Sequence, residues 1–209
     1  MGGDASTPQA VVFDVGRVLF AWDLAALYEK LIDDPARLEW FVAEVVSEDW
    51  HYAHDRGEPL AELIEARIAE YPDEAGLIRA YAKRFSETIY AQIAGTHSIV
   101  RELAARGVPI FGLTNFAVSF WADFRPTQPI FDLFEDIVVS GVEKCAKPDP
   151  AIYALAEERF GLSGGQLFFT DDSPANIAAA RVRGWQAHRF LDAERLRATL
   201  EGWGLLGAP

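Results

Sequence analysis

The run Val11-Val12-Phe13-Asp14-Val15-Gly16-Arg17-Val18-Leu19 decides how the rest of the chain is read. Val11, Val12 and Phe13 have the apolar, β-branched character of a short strand buried on both faces. Asp14 arrives where that strand ends, and Gly16 is expected to let the backbone turn sharply behind it. A carboxylate at the carboxyl edge of a buried parallel strand sits where open α/β sheets bind ligands. Taken alone, Asp14 is better read as an ordinary strand-ending residue that caps the turn. Three later segments reverse that preference.

Beyond this run the hydrophobic period changes from two to near 3.6. Asp23 is placed to cap a helix with Leu24, Leu27, Tyr28 and Leu31 on one face. Pro35 opens a second helix carrying Leu38, Phe41, Val42, Val45 and Val46, and Pro59 a third with Leu60, Leu63, Ile64 and Ile68. A fourth is expected from about Asp73 to Ile89, and no strand is expected between Trp22 and Tyr90. An uninterrupted helical stretch of this length is too long for a crossover connection, so residues 21–92 read as a separate four-helix cap. Residues 10–20 and 93–209 then form the main domain. Its strands, Val108–Leu113, Ile137–Ser140, Leu167–Thr170 and Trp185–Phe190, alternate with helices closed by Gly107, Gly161 and Gly184. That alternation predicts a Rossmann-like parallel α/β sheet.

Bulk properties narrow the partners. The 209 residues carry a formal net charge of −13, which repels nucleic acid and anionic lipid and makes any phosphate site depend on local positive charge. The single cysteine, Cys145, cannot form an intrachain disulfide, and no signal-peptide pattern is seen, which points to the cytoplasm. No apolar run reaches membrane-spanning length. Met1–Gln9 reads as a loose tail, and six tryptophans beside a helical cap make a homodimer a reasonable expectation.

Polar residues recur at the expected strand ends: Asp14, Thr114-Asn115 and Asp171-Asp172, with Lys147 on a loop bounded by Pro148 and Pro150. In a parallel sheet these ends open on one edge. Three carboxylates there repel one another unless a cation neutralises them, and hard oxygen ligands favour Mg²⁺. A lysine and a hydroxyl alongside suit the oxygens of a phosphoryl group.

Four motifs, Phe13–Leu19, Leu113-Thr114-Asn115, Lys147-Pro148-Asp149-Pro150 and Phe169–Asn176, follow one another in an order that resembles the haloacid dehalogenase-like hydrolases. The resemblance runs from about Val11 to Phe190, with the helical insert similar to a C1-type cap. Within the superfamily it is closest to the branch of α-D-glucose-1-phosphate phosphatases, which shares the Gly16 position and a segment similar to His54-Asp55-Arg56-Gly57-Glu58. The resemblance implies a Mg²⁺-dependent phosphomonoesterase of a small soluble phosphate, such as a sugar phosphate. It makes Asp14 the nucleophile of an aspartyl-phosphate, Thr114 and the following N–H the phosphoryl ligands, and Lys147 the charge partner. Asp14, the Gly16 carbonyl, Asp172 and Asp171 become the metal ligands, with Arg17 and Asn115 as substrate contacts.

Two departures qualify the analogy. Most phosphatases of the superfamily carry a second aspartate where Gly16 stands, and its proton transfer is worth ~10²–10⁴-fold. Either the leaving group is weakly basic, or a cap residue among His51, His54 and Asp55 lends the proton. Arg17 replaces a small residue and is placed either to reach substrate or to pair with a cap carboxylate. Otherwise His51 and His54 read as a polar cap face, Asp55–Glu58 as a turn with a local ion pair, and Asn176 as a tie within its loop. Two other functions compete: a 2-haloacid dehalogenase using Asp14 on carbon without metal, and a non-catalytic binding protein on the same fold.

Overall fold

The computed structural model describes residues 7–207, so most of the expected N-terminal tail, Met1 to Ser6, lies outside the described residues. The chain begins with β1 (Ala10–Phe13) and, after a short loop, β2 (Phe20–Trp22). Five helices follow: α1 (Ala25–Tyr28), α2 (Pro35–Trp40), α3 (Glu48–Asp55), α4 (Leu60–Glu70) and α5 (Ala75–Arg84). β3 (Ile89–Gln92) then pairs antiparallel with β2. The remainder alternates: α6 (Ala94–Ala105), β4 (Ile110–Thr114), α7 (Val118–Phe124), β5 (Asp136–Val139), α8 (Ser140–Glu143), α9 (Pro150–Phe160), β6 (Leu167–Asp171), α10 (Pro174–Val182), β7 (Gln186–Arg189) and α11 (Ala193–Gly202).

β1, β4, β5, β6 and β7 form one parallel sheet in the order β5-β4-β1-β6-β7. β1 is central, flanked by β4 and β6, and all four of its residues are buried. Its side chains alternate as the pleat demands. Ala10 and Val12 join Phe111, Phe169, Ile152, Tyr153 and Ile177 on one face, while Val11 and Phe13 join Ile99, Val100, Leu103 and Leu196 on the other. Chain order reverses across β1, so the carboxyl ends of β1, β4 and β6 flank the crevice where such sheets bind ligands.

The helical region differs from the four-helix expectation in two ways. A fifth helix, α3, begins at Ser47, whose side chain accepts from the Trp50 N–H, and the β2–β3 pair gathers the two ends of the insert. The second expected helix instead passes at Phe41 into a π-helical turn, Phe41–Val45. The turn behind β1 also differs. Arg17, not Gly16, takes the left-handed conformation, with φ of 58°. The loop closes because Leu19 and Phe20 both donate to the Val15 carbonyl and Arg17 donates to the Phe20 carbonyl. Gly107, Gly161 and Gly184 do carry the positive φ expected after their helices.

Of the six tryptophans, only Trp40 is among the exposed large hydrophobics, so their number supplies no extended apolar surface. No helix among the described residues is long and apolar enough to cross a membrane.

One glycine fixes the approach of α8 to the loop after β4. A Cβ on Gly141 would lie 2.8 Å from both the Phe116 carbonyl oxygen and the Val118 nitrogen, whereas one on Gly16 meets nothing within 4 Å. Gly141→Ala is expected to cost about 1–3 kcal/mol in urea unfolding, as overpacking does. Gly16→Ala should stay within about 0.5 kcal/mol of wild type. Equal stability of the two variants would show that this approach constrains nothing.

Candidate active site

The carboxyl ends of β1, β4 and β6 converge on one buried ion cluster. Lys147 is 1% exposed and places Nζ 2.8 Å from Asp14 Oδ1 and 2.7 Å from Asp171 Oδ2. Asp171 spends both oxygens locally. Oδ1 accepts from the Ser173 N–H and Asn176 Nδ2, and Oδ2 accepts from Lys147 and Asn176 Nδ2. Asn176 therefore ties its loop together, as its sequence position suggested. Asp14 Oδ1 also accepts from the Val15 N–H at 2.7 Å, while Oδ2 has no hydrogen-bond partner among the described residues.

Lys147 is itself held from outside the cluster. Asn115 Oδ1 accepts from the Lys147 N–H at 2.9 Å, and Asn115 Nδ2 donates to the Lys147 carbonyl at 3.0 Å. The Tyr52 hydroxyl of α3 donates to the same carbonyl at 2.6 Å. Asn115, expected at the substrate, thus clamps the lysine backbone while also lining the cleft. Thr114 is buried at the end of β4, with a long 3.4 Å contact to the Asn115 carbonyl. Arg17 pairs with Glu48, in the first turn of α3, and lies 4.8 Å from the Trp22 ring centroid. Arg17 thus pairs with a carboxylate of the helical insert and also lines the cleft.

The charges do not balance. Asp14, Asp171 and Asp172 bring one oxygen each within 4.8 Å of one another, against one buried lysine. Burial pushes the Asp14 carboxyl up to about 8; Lys147 opposes that rise, and Asp171 and Asp172 add to it. Asp172 is also raised, by burial and then by Asp171. Burial works to lower Lys147, but Asp14 and Asp171 outweigh it and leave the ammonium strengthened. The donor set fits a hard divalent cation. Among the described residues the Asp172 carboxylate makes no ion pair and the Gly16 carbonyl accepts no hydrogen bond, and Asp14 adds a second carboxylate beside them.

Above the cluster lies a cavity of about 360 Å³ lined by Asp14, Gly16, Arg17, Asn115, Lys147 and Asp172 at its polar end. Phe20, Trp22, Phe85, Ile89, Phe116 and Phe124 supply the apolar walls. Trp121 does not line the cleft and packs on Phe116 and Phe131. α3 contributes Glu48, Asp49, His51, Tyr52 and Asp55. His51 and His54 are each only 7% exposed, so they do not form the polar face expected for them. Asp55 pairs with His51 Nε2 at 3.1 Å instead of with Arg56, which lies over the Tyr52 ring. Glu48, Asp49 and Tyr52 carry no motif, and the approach of Tyr52 to Lys147 depends on a contact 95 residues apart in sequence.

Comparison with known proteins agrees with the fold that carries this cluster. The sequence model of a hydrolase family, the haloacid dehalogenase-like hydrolases, matches residues 8–184. The sesquiterpene phosphatase astK of Aspergillus oryzae is 26% identical over 188 residues, covering 90% of this chain and 92% of that protein. A haloacid dehalogenase family enzyme from Bacteroides thetaiotaomicron, bt-2542, solved as a magnesium complex, superposes with a TM-score of 0.69 at 19% identity, over 90% of this chain and 95% of that one. The L-2-haloacid dehalogenase of Xanthobacter autotrophicus, with chloropropionic acid covalently bound, superposes with a TM-score of 0.64 at 20% identity, over 97% and 85%. At these identities the two structures establish the shared parallel α/β fold.

The raised Asp14 carboxyl has a stability consequence. A carboxyl whose pKa is higher folded than unfolded favours folding at low pH and loses that contribution as pH rises towards the folded value. In chelator, wild-type protein should therefore lose stability relative to Asp14→Asn as pH is raised from about 5 to 8, and a divalent cation should reverse the loss. Parallel thermal-unfolding curves for the two proteins across that range would contradict the assignment.

Proposed function

The chain belongs to the haloacid dehalogenase-like hydrolases, and from that membership and the carboxylate cluster we propose a Mg²⁺-dependent phosphomonoesterase acting through an aspartyl-phosphate on Asp14. The observation that carries the proposal is the excess of carboxylates, two buried and one half-buried, over one buried lysine at a single sheet edge. Asp14, the Gly16 carbonyl and Asp172 would hold Mg²⁺, with Asp171 behind them. When bound, the ion offsets charge shared by these acids and the phosphoryl group.

Asp14 attacks phosphorus through its free Oδ2 while Lys147 and the Val15 N–H hold Oδ1, fixing the direction of attack. Lys147 neutralises charge on the nucleophile and on the phosphoryl oxygens. Thr114 and the Asn115 N–H complete the phosphoryl site, and the helices between β2 and β3 act as a C1-type cap that shapes the cleft. Arg17 fastens that cap through Glu48. The lone half-buried Cys145 suits a reducing cytoplasm.

For the leaving group, the sugar phosphate suggested by the glucose-1-phosphate branch is one reading. The aromatic walls favour a second, the phosphate ester of an apolar alcohol, and the relative named as a sesquiterpene phosphatase agrees with it. A dehalogenase is disfavoured, because such enzymes carry small neutral residues where Asp171 and Asp172 stand.

Phosphate release should require Mg²⁺, vanish in Asp14→Asn, and exceed any chloride release from 2-haloacids in EDTA. Farnesyl monophosphate should exceed glucose 1-phosphate in kcat/KM by about tenfold or more, since two buried methylenes at ~0.8 kcal/mol each suffice for that ratio. Chloride release without metal would overturn the phosphatase assignment. A preference for the sugar would overturn the apolar one.

A further inference from the structure

Gly16 leaves the phosphomonoesterase reading without a proton donor for the leaving group, and the inference that follows rests on that reading. Of the titratable side chains that α3 brings to the cleft, Glu48 and Asp49 are exposed and Tyr52 donates to the Lys147 carbonyl; the buried ones on this helix are His51, His54 and Asp55. His54 does not line the cavity; its Nδ1 donates to the Glu58 carbonyl and its ring edge packs on Phe120. His51 does line it, but both ring nitrogens are engaged, Nδ1 with the Tyr81 hydroxyl and Nε2 with Asp55 Oδ2. Asp55 lines the same cavity as Asp14 and Gly16, is 5% exposed, and its Oδ1 is buried without a hydrogen-bond partner.

We propose that Asp55 is the catalytic acid and base of this enzyme, supplied by the helical segment in place of the residue missing at Gly16. Both carboxylate oxygens are then accounted for. Oδ2 accepts from His51 Nε2–H, which Tyr81 fixes in that tautomer by donating to Nδ1, and Oδ1 is left to handle the proton. A buried carboxylate oxygen with no partner is costly to keep, and a leaving-group oxygen supplies the missing one. Two hydrogen bonds tie this placement to the lysine loop beside the nucleophile. The Ser140 hydroxyl of α8 donates to the Asp55 carbonyl at 2.5 Å, and the neighbouring Tyr52 donates to the carbonyl of Lys147. Asp55 is thereby tied to α8, and Lys147, the partner of Asp14, to the helix that carries Asp55.

The proton count closes over two steps. As Asp14 Oδ2 bonds to phosphorus, the bond from phosphorus to the leaving oxygen breaks, and that oxygen takes the proton of Asp55. The resulting Asp55 carboxylate then takes a proton from water as the water oxygen bonds to phosphorus. The phosphorus–Asp14 bond breaks, releasing phosphate and restoring both side chains.

The test is the dependence of the first step on leaving-group basicity, measured by rapid mixing with Mg²⁺ on the full chain, from p-nitrophenyl phosphate to simple alkyl phosphates. Wild type should show a shallow dependence, since its leaving group departs protonated. Asp55→Asn should become steep, losing ~10²–10⁴-fold on alkyl phosphates and far less on p-nitrophenyl phosphate. A steep dependence in wild type, or a uniform loss across the series in Asp55→Asn, would overturn the assignment while leaving the phosphatase reading intact. If wild type and Asp14→Asn are equally inert on the whole series, the phosphatase reading itself fails. Should Asp55→Asn not fold, the wild-type dependence and the variant His51→Phe, which removes the Oδ2 donor and should steepen the dependence partway, decide the matter. An unaltered dependence in His51→Phe together with a steep one in wild type would overturn it.

Discussion

A single buried ammonium holds this site together. Lys147 reaches Asp14 at 2.8 Å and Asp171 at 2.7 Å from a position almost wholly removed from water. Taking such charges out of water is expensive, and removing one partner leaves the others uncompensated, typically at a cost of about 3–5 kcal/mol. The surroundings are arranged to meet that cost. Asn115 and Tyr52 fix the lysine backbone, while Asn176 and the Ser173 N–H saturate Asp171, so neither group can drift from the other. What remains unsatisfied, Asp14 Oδ2 and the Asp172 carboxylate, faces the cleft.

The sheet makes this clustering possible because β1 lies between β4 and β6 and all three run in the same direction. Residues separated by more than a hundred positions therefore end on one edge. The insert between β2 and β3 then closes over that edge through a few polar ties, Arg17 to Glu48, Tyr52 to Lys147 and Ser140 to Asp55, and through the stacked Phe85 and Phe120 rings at 3.9 Å. The same ties connect chemistry to specificity: the helix that meets the lysine loop also lines the cavity with His51 and Asp55.

Much of this was legible from residues alone, for a physical reason. Strands buried on both faces are continuous apolar runs, and a carboxylate at the end of one, or a lysine on a proline-bounded loop beyond another, stands out against them. Asp14, Lys147, Asp171 and Asp172 could be assembled on those grounds. α3 could not, because its buried residues include His51, His54 and Asp55, which erase the apolar period that marks a helix. β2 and β3 are three and four residues long and are defined only by pairing across the insert. The left-handed residue behind β1 was expected at glycine and occurs at Arg17, where the hydrogen bonds of the loop, not residue preference, set the backbone.

The central claim is that the three acids and the lysine form one cation-assisted phosphoryl-transfer site with Asp14 as nucleophile. A crystal structure of the protein with Mg²⁺ and beryllium fluoride addresses it most directly. The account predicts beryllium bonded to Asp14 Oδ2, the ion held by Asp14, Asp172 and the Gly16 carbonyl, and Lys147 still bridging Asp14 and Asp171. Crystals saturated with both reagents, yet showing no adduct on Asp14 or an ion bound away from Asp172, would contradict it.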